Sequence, residues 1–172
     1  MNATQQLHDL GQSLWVDNIN RETLRDGTLA RLIAEYSVTG LTSNPTIFEK
    51  AMSEGSAYDD SITRMARDGR PIEDLFFALA VEDLQQAADL FLPAHEASGG
   101  VDGWASLEVS PLLVNDTLGT IRSAASLSRQ AGRRNLFIKI PGTPEGIPAI
   151  EESIYAGVPI NVTLLFSREQ YL

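Results

Sequence analysis

The chain has 172 residues, enough for one domain with a real core, and its apolar fraction of 43% and charged fraction of 21% are ordinary for a globular protein. A formal net charge of -10 argues against nucleic acid or an anionic membrane as the main partner, since both call for concentrated Lys and Arg. With no cysteine, disulfides, thiolate nucleophiles and Cys-type metal sites are excluded. His8 and His95 lie far apart and lack metal-ligand spacing, so both read as surface or helix-end residues. The N-terminus "MNATQQLHDLGQ" has no cationic flank or apolar core of a signal peptide, and no apolar run reaches the ~18 residues of a membrane span. The expected location is the cytoplasm.

Short apolar runs then alternate with helical patterns. "SLWVDN" (13–18) predicts a first strand, and "DGTLARLIAEY" (26–36) a helix with Leu29, Leu32, Ile33 and Tyr36 on one face. "SVTGLTSN" (37–44) predicts a second strand. In the long helical region that follows, the clearest member runs from Pro71, at the first helical position, to about Ala97, with Gly99-Gly100 as the stop. "GWASLEVS" (103–110) is a third strand. "NDTLGTIRSAASLSRQAG" (115–132) is a helix capped by Asn115 or Asp116 and stopped by Gly132. "NLFIKIP" (135–141) is a fourth strand. "TPEGIPAIEESIYAG" (143–157) is a helix with Thr143 as cap and Pro144 first in the helix. "VPINVTLLFS" (158–167) is a fifth strand, and "SREQYL" opens another helix.

Strand alternating with helix predicts a parallel sheet with helical crossovers. Such strands are usually apolar throughout. Here Asp17, Glu108, Lys139 and Asn161 interrupt them, each near a strand's C-terminal end, where α/β folds place their sites. Period-2 alternation sets Leu136, Ile138 and Ile140 against Phe137 and Lys139, and Ala105, Leu107 and Val109 against Trp104, Ser106 and Glu108. It likewise sets Ile160, Val162 and Leu164 against Asn161 and Thr163, and joins Trp15 with Asp17. One apolar face and one face with polar ends fits a closed barrel better than an open sheet.

Lys139 is one of only two lysines, with Lys50, beside eleven arginines. As a structural residue it would form a buried ion pair or bend out to water. As a chemical one it would be a nucleophile: removal from water disfavours the ammonium form, and a neutral amine attacks a carbonyl to form a Schiff base. Lys50, in "FEKAMSEG", reads as an ordinary surface lysine. Asp17 and Glu108 are either charge partners or the acid/base groups that Schiff-base chemistry needs. In "TGLTSNPTIFEKA" (39–51), local physics favours a strand-to-helix turn at Asn44-Pro45 over a substrate contact. "GTPEG" lacks the G-x-x-x-x-G-K-[ST] pattern of a phosphate loop.

"GLTSNPTIF" (40–48) resembles the first signature of the transaldolases, and "LFIKIPGTPEGI" (136–147) resembles their lysine-bearing signature. "LWVDN", "SLEVSP" and "INVTLLFS" are similar to the family's strand-one, strand-three and strand-five motifs, in the same order, and the wording is closest to the longer bacterial branch. The resemblance implies an α/β fold, a (β/α)8 barrel of the class I aldolase type. It also implies a cofactor-free, metal-free enzyme of the pentose phosphate pathway acting on sugar phosphates. Such an enzyme moves a dihydroxyacetone unit from sedoheptulose 7-phosphate or fructose 6-phosphate to an aldose phosphate. Carried over by motif, Lys139 forms the Schiff base and Asp17 takes the sugar-hydroxyl proton. Glu108, through a water held with Thr163, assists carbinolamine dehydration. Asn44 and Asn161 hold the dihydroxyacetone moiety, and Thr42 lines the site.

Members of the family are roughly twice this length. Residues 1–172 are therefore expected to form the N-terminal portion of one barrel domain, ending after about strand five, without the serine and arginine that bind phosphate. Alone, such a piece is expected to be inactive or poorly folded. Its two open edges leave room for a homo-oligomer or for a complementing C-terminal segment. The rival readings are another Schiff-base aldolase that cleaves without transfer, and a non-catalytic half-barrel that binds a partner or a sugar phosphate.

Overall fold

A computed structural model describes residues 2–172. Its five strands, β1 (Leu14–Val16), β2 (Val38–Thr42), β3 (Trp104–Glu108), β4 (Leu136–Pro141) and β5 (Ile160–Thr163), lie side by side in chain order, and every pair is parallel. Parallel neighbours need a crossover of a dozen or more residues. The helices between strands supply it: α2 (Arg21–Arg25) and α3 (Thr28–Tyr36), then α4 (Pro45–Ser53), α5 (Asp59–Arg67) and α6 (Ile72–Ala97), then α7 (Thr117–Ala131), then α8 (Gly146–Tyr155), while α1 (Ala3–Asp9) precedes β1 and α9 (Arg168–Tyr171) follows β5.

Most predicted elements are present with shifted ends. The β1 and β2 ladders stop before Asp17 and Ser43, where the chain turns into the connections. α6 spans the expected residues, but Pro71 is its cap and Ile72 its first residue. Asp116, not Asn115, caps α7 by accepting the Gly119 N–H, and Gly132 ends it with φ +56°. α8 starts at Gly146, not at Pro144: the Thr143 hydroxyl accepts the Gly146 N–H from outside the helix. A Cβ on Gly146 would run into the Pro141 carbonyl, so the close return of the chain against the end of β4 requires glycine at this position. α1 and α2 had no counterpart in the sequence reading. Both are held by asparagine caps, Asn2 and Asn20, and neither is long enough to display an apolar stripe.

On the convex side Leu41, Leu107, Leu136, Ile138 and Ile140 are at most 2% exposed, packed with Leu84 and Phe91 of α6 and Leu127 of α7 in one core. The concave side carries the other half of the alternation. Trp15, Trp104 and Phe137 stack there, with ring centroids 6.4 Å apart for Trp15–Phe137 and 3.8 Å for Trp104–Phe137. β1 and β4 are three strand spacings apart, roughly 14 Å in a flat sheet, so contact between Trp15 and Phe137 records a strongly curled half-barrel. Gly40 makes room for it, because any Cβ there would fall inside the Trp15 ring.

β5 departs from expectation. Val162 is 36% and Leu164 48% exposed, where a helix-covered face was expected. Leu164 leaves the strand with φ +61°, so the alternation ends at Thr163. Among the described residues, no helix is long and apolar enough to cross a membrane.

Candidate active site

Register brings the polar interruptions together. Glu108 lies directly across from Lys139, Lys139 across from Asn161, Pro141 across from Thr163, and Thr42 across from Ser106. All of these point to the concave side, toward the C-terminal ends of the strands.

Lys139 is 9% exposed. Its Nζ donates to the Ser43 carbonyl at 2.8 Å and pairs with Glu108 Oε2 at 3.3 Å. Ser43 is wholly buried, and its hydroxyl donates to the Ser106 carbonyl at 2.7 Å. The Ser106 hydroxyl accepts from Asn161 Nδ2 at 3.2 Å. A continuous polar chain therefore ties the end of β2, through β3, to β5, and the lysine amine is held at one end of it. Among the described residues, Thr163 Oγ1 is buried with no partner, as are Thr39 Oγ1 and Ser153 Oγ. A buried hydroxyl without a partner is costly, and one facing a cleft is a natural seat for water or a substrate group. Beside this chain the concave face opens into a cavity of about 320 Å³ lined by Trp15, Phe137, Ile160, Asn161 and Val162.

The other sequence-predicted residues stand differently. Asn44 Oδ1 accepts the Ile47 N–H at 2.9 Å, capping α4 with Pro45 at its first position, so its acceptor is committed and its Nδ2 is left to donate. Thr42 is half-buried at the end of β2. Asp17 is exposed one residue past β1, and among the described residues it makes no hydrogen bond or ion pair. Lys139 and Glu108 are thus in direct contact, with Asn161 opposite Lys139 in the register, while among the described residues no hydrogen bond or ion pair joins Asp17, Thr42 or Asn44 to the amine. Lys50 is exposed, and among the described residues its one ion pair, at 3.9 Å, is to Glu54 in the cap after α4.

Sequence reasoning missed the role of Ser43, which it read only as part of a turn. It placed Ser106 on the inward face but gave it no task. Alternation was the available signal for Ser106. For Ser43 there was none, because the group that meets Lys139 is a backbone carbonyl.

A curled parallel sheet with a lysine, a carboxylate and amide side chains converging at its C-terminal ends defines the α/β-barrel class of protein. Residues 14–172 match the family described as Transaldolase/Fructose-6-phosphate aldolase, and the chain belongs to that family, whose fold is the (β/α)8 barrel. Its relatives include a transaldolase of Thiobacillus denitrificans, 48% identical over 170 residues, covering 99% of this chain and 47% of the relative. Another is a transaldolase of Thermobifida fusca, 48% identical over 167 residues, covering 97% and 45% respectively. A third, from Trichodesmium erythraeum, is 41% identical over 171 residues, covering 99% and 45%. The chain spans under half the length of these relatives.

Proposed function

We propose that the chain carries the Schiff-base machinery of a transaldolase. The observation behind this is the buried Lys139 amine, held between the Ser43 carbonyl and Glu108 at the strand ends of a barrel sheet. Lys139 Nζ adds to the donor ketone, giving a carbinolamine. Glu108, 3.3 Å from that nitrogen, returns the proton that lets water leave. Glu108 acts through a second water, held between it and the buried Thr163 hydroxyl, which has no partner among the described residues. Asp17 accepts the proton of the sugar hydroxyl beside the breaking carbon–carbon bond, an aldehyde departs, and the electron pair stays as an enamine on Lys139. Addition of that enamine to an acceptor aldehyde reverses the sequence, and hydrolysis frees the lysine. Asn161 and Asn44, through side-chain N–H groups, and Thr42 hold the dihydroxyacetone hydroxyls.

The substrates are sugar phosphates of the pentose phosphate pathway, handled in the cytoplasm. The chemistry is complete without a cofactor. Since the relatives are more than twice as long, the closing strands and the phosphate-binding groups are taken to lie outside these residues, which form one part of a single barrel domain and are inactive alone. The family description also covers aldolases, which makes the test specific. The chain is combined with the portion of the Thiobacillus denitrificans transaldolase that it leaves unmatched, and supplied with fructose 6-phosphate. Acceptor-dependent sedoheptulose 7-phosphate on adding erythrose 4-phosphate supports transfer. Free dihydroxyacetone at the same rate without acceptor supports the aldolase instead.

A further inference from the structure

The most densely bonded polar group outside the strand ends lies on the helix side of β1. Arg21 opens α2 four residues after Asp17 and is 4% exposed. Its Nε donates to Asp83 Oδ1 at 2.8 Å, Nη2 to Glu82 Oε2 at 2.8 Å, and Nη1 to Ser61 Oγ at 2.9 Å. The wholly buried Asp83 also accepts from the Tyr58 hydroxyl, on Oδ2 at 2.6 Å. That same hydroxyl accepts the backbone N–H of Arg21 at 3.2 Å, while the guanidinium lies 4.5 Å from the Tyr58 ring centre. Burial first, then the hydrogen bond to and charge of Asp83, push the Tyr58 hydroxyl far above its usual range, so it remains a donor.

A buried ion pair is a costly way to join three helices, and apolar side chains of similar volume do so as well or better. What this network fixes, and an apolar plug would not, is the direction of one backbone N–H and one side chain at the start of α2. The segment upstream is short. Ile19 is wholly buried, and Asn20 is committed to the cap of α2. Asp17, by contrast, makes no hydrogen bond or ion pair of its side chain among the described residues. Its position is inherited from β1 on one side and from Arg21 on the other.

We propose that the Arg21–Asp83–Tyr58 network holds the loop bearing Asp17 in register with the site, making Arg21 and Tyr58 positioning residues for the carbon–carbon bond step. This rests on the reading of Asp17 as the group that takes the sugar-hydroxyl proton. A general base must sit within hydrogen-bond reach, and a displacement of ~1 Å costs on the order of 100-fold in rate.

The test uses Tyr58→Phe, which keeps the ring beneath the guanidinium and deletes both hydroxyl bonds, in the chain and in its complemented form. Hydrogen exchange is read at residues 17–20 and, as a control on folding, in β3 and β4. Schiff-base formation is read by borohydride trapping with dihydroxyacetone, which needs no bond cleavage and hence no Asp17. Exchange at 17–20 is expected to rise about tenfold with β3 and β4 unchanged. Trapping stays at the parent rate, and kcat on fructose 6-phosphate falls up to about 100-fold with KM held. Ser61→Ala, which frees only Nη1, gives the same pattern at smaller size. Unaltered exchange at 17–20 overturns the proposal. So does a fall in which trapping, turnover and β3/β4 protection decline together, for that is the behaviour of a general staple. Failure of the parent to trap at Lys139 sinks the functional reading instead, and exchange at 17–20 still decides whether the network holds the loop.

Discussion

Lys139 meets two acceptors of different kinds, a carboxylate on the neighbouring strand and a carbonyl two strands away, and only the first could be foreseen. Alternation along β3 and β4 sets Glu108 and Lys139 on the inward faces of their strands, and the register places them side by side. Side-chain identity carries that information, whereas a carbonyl such as that of Ser43 is present at every residue and becomes special only when the sheet curls. Glu108→Gln, which keeps the shape and removes the proton exchange, is expected to slow trapping by about 10²–10⁴-fold without moving the label from Lys139. Ser43→Ala, losing its bond to the Ser106 carbonyl, is expected to cost about 1 kcal/mol in denaturant unfolding. Tyr58 supplies a pH prediction. Burial and the neighbouring Asp83 raise its folded-state pKa above the ordinary tyrosine value of 10.0, which the unfolded chain approaches. The folded state thus holds this proton while the unfolded state releases it: the contribution is full below about pH 10 and is lost as pH rises. Spectrophotometric titration is expected to show one tyrosine ionising only as the protein unfolds, and Tyr58→Phe removes that component.

Elements with a long period or an unmistakable cap were readable in advance, as with α6, α7 and the Asn44-Pro45 start of α4. Those that depend on tertiary contact were not. α2 has five residues, too few for a hydrophobic period, and its Arg21 is buried by partners on or beside α5 and α6 that lie 37 to 62 positions away. β5 misled in the other direction: ten apolar-rich residues predicted a long covered strand, yet four enter the ladder and Val162 remains partly in solvent. The cap of α2 offers a clean measurement, since Asn20→Ala is expected to lose about 1 kcal/mol in thermal or denaturant unfolding. In β2, Gly40→Ala drives a methyl into the Trp15 ring. The expected cost is about 1–3 kcal/mol, with a change in tryptophan fluorescence as the ring leaves Phe137.

At the scale of the molecule, the curl of the sheet brings Glu108, Lys139 and Asn161 beside the turn that follows β2. In a flat sheet Lys139 and the turn after β2 would stand two strand spacings apart; here the amine donates directly to Ser43. The order of the motifs foretold a barrel, and the sequential parallel order β1 to β5 agrees with it. The central claim, that Lys139 is the Schiff-base nucleophile, meets its most direct test in borohydride reduction with fructose 6-phosphate followed by peptide mass mapping. The account predicts one adduct, on the peptide containing Lys139, abolished by Lys139→Arg. An adduct on Lys50, or none in a folded, complemented protein, contradicts it.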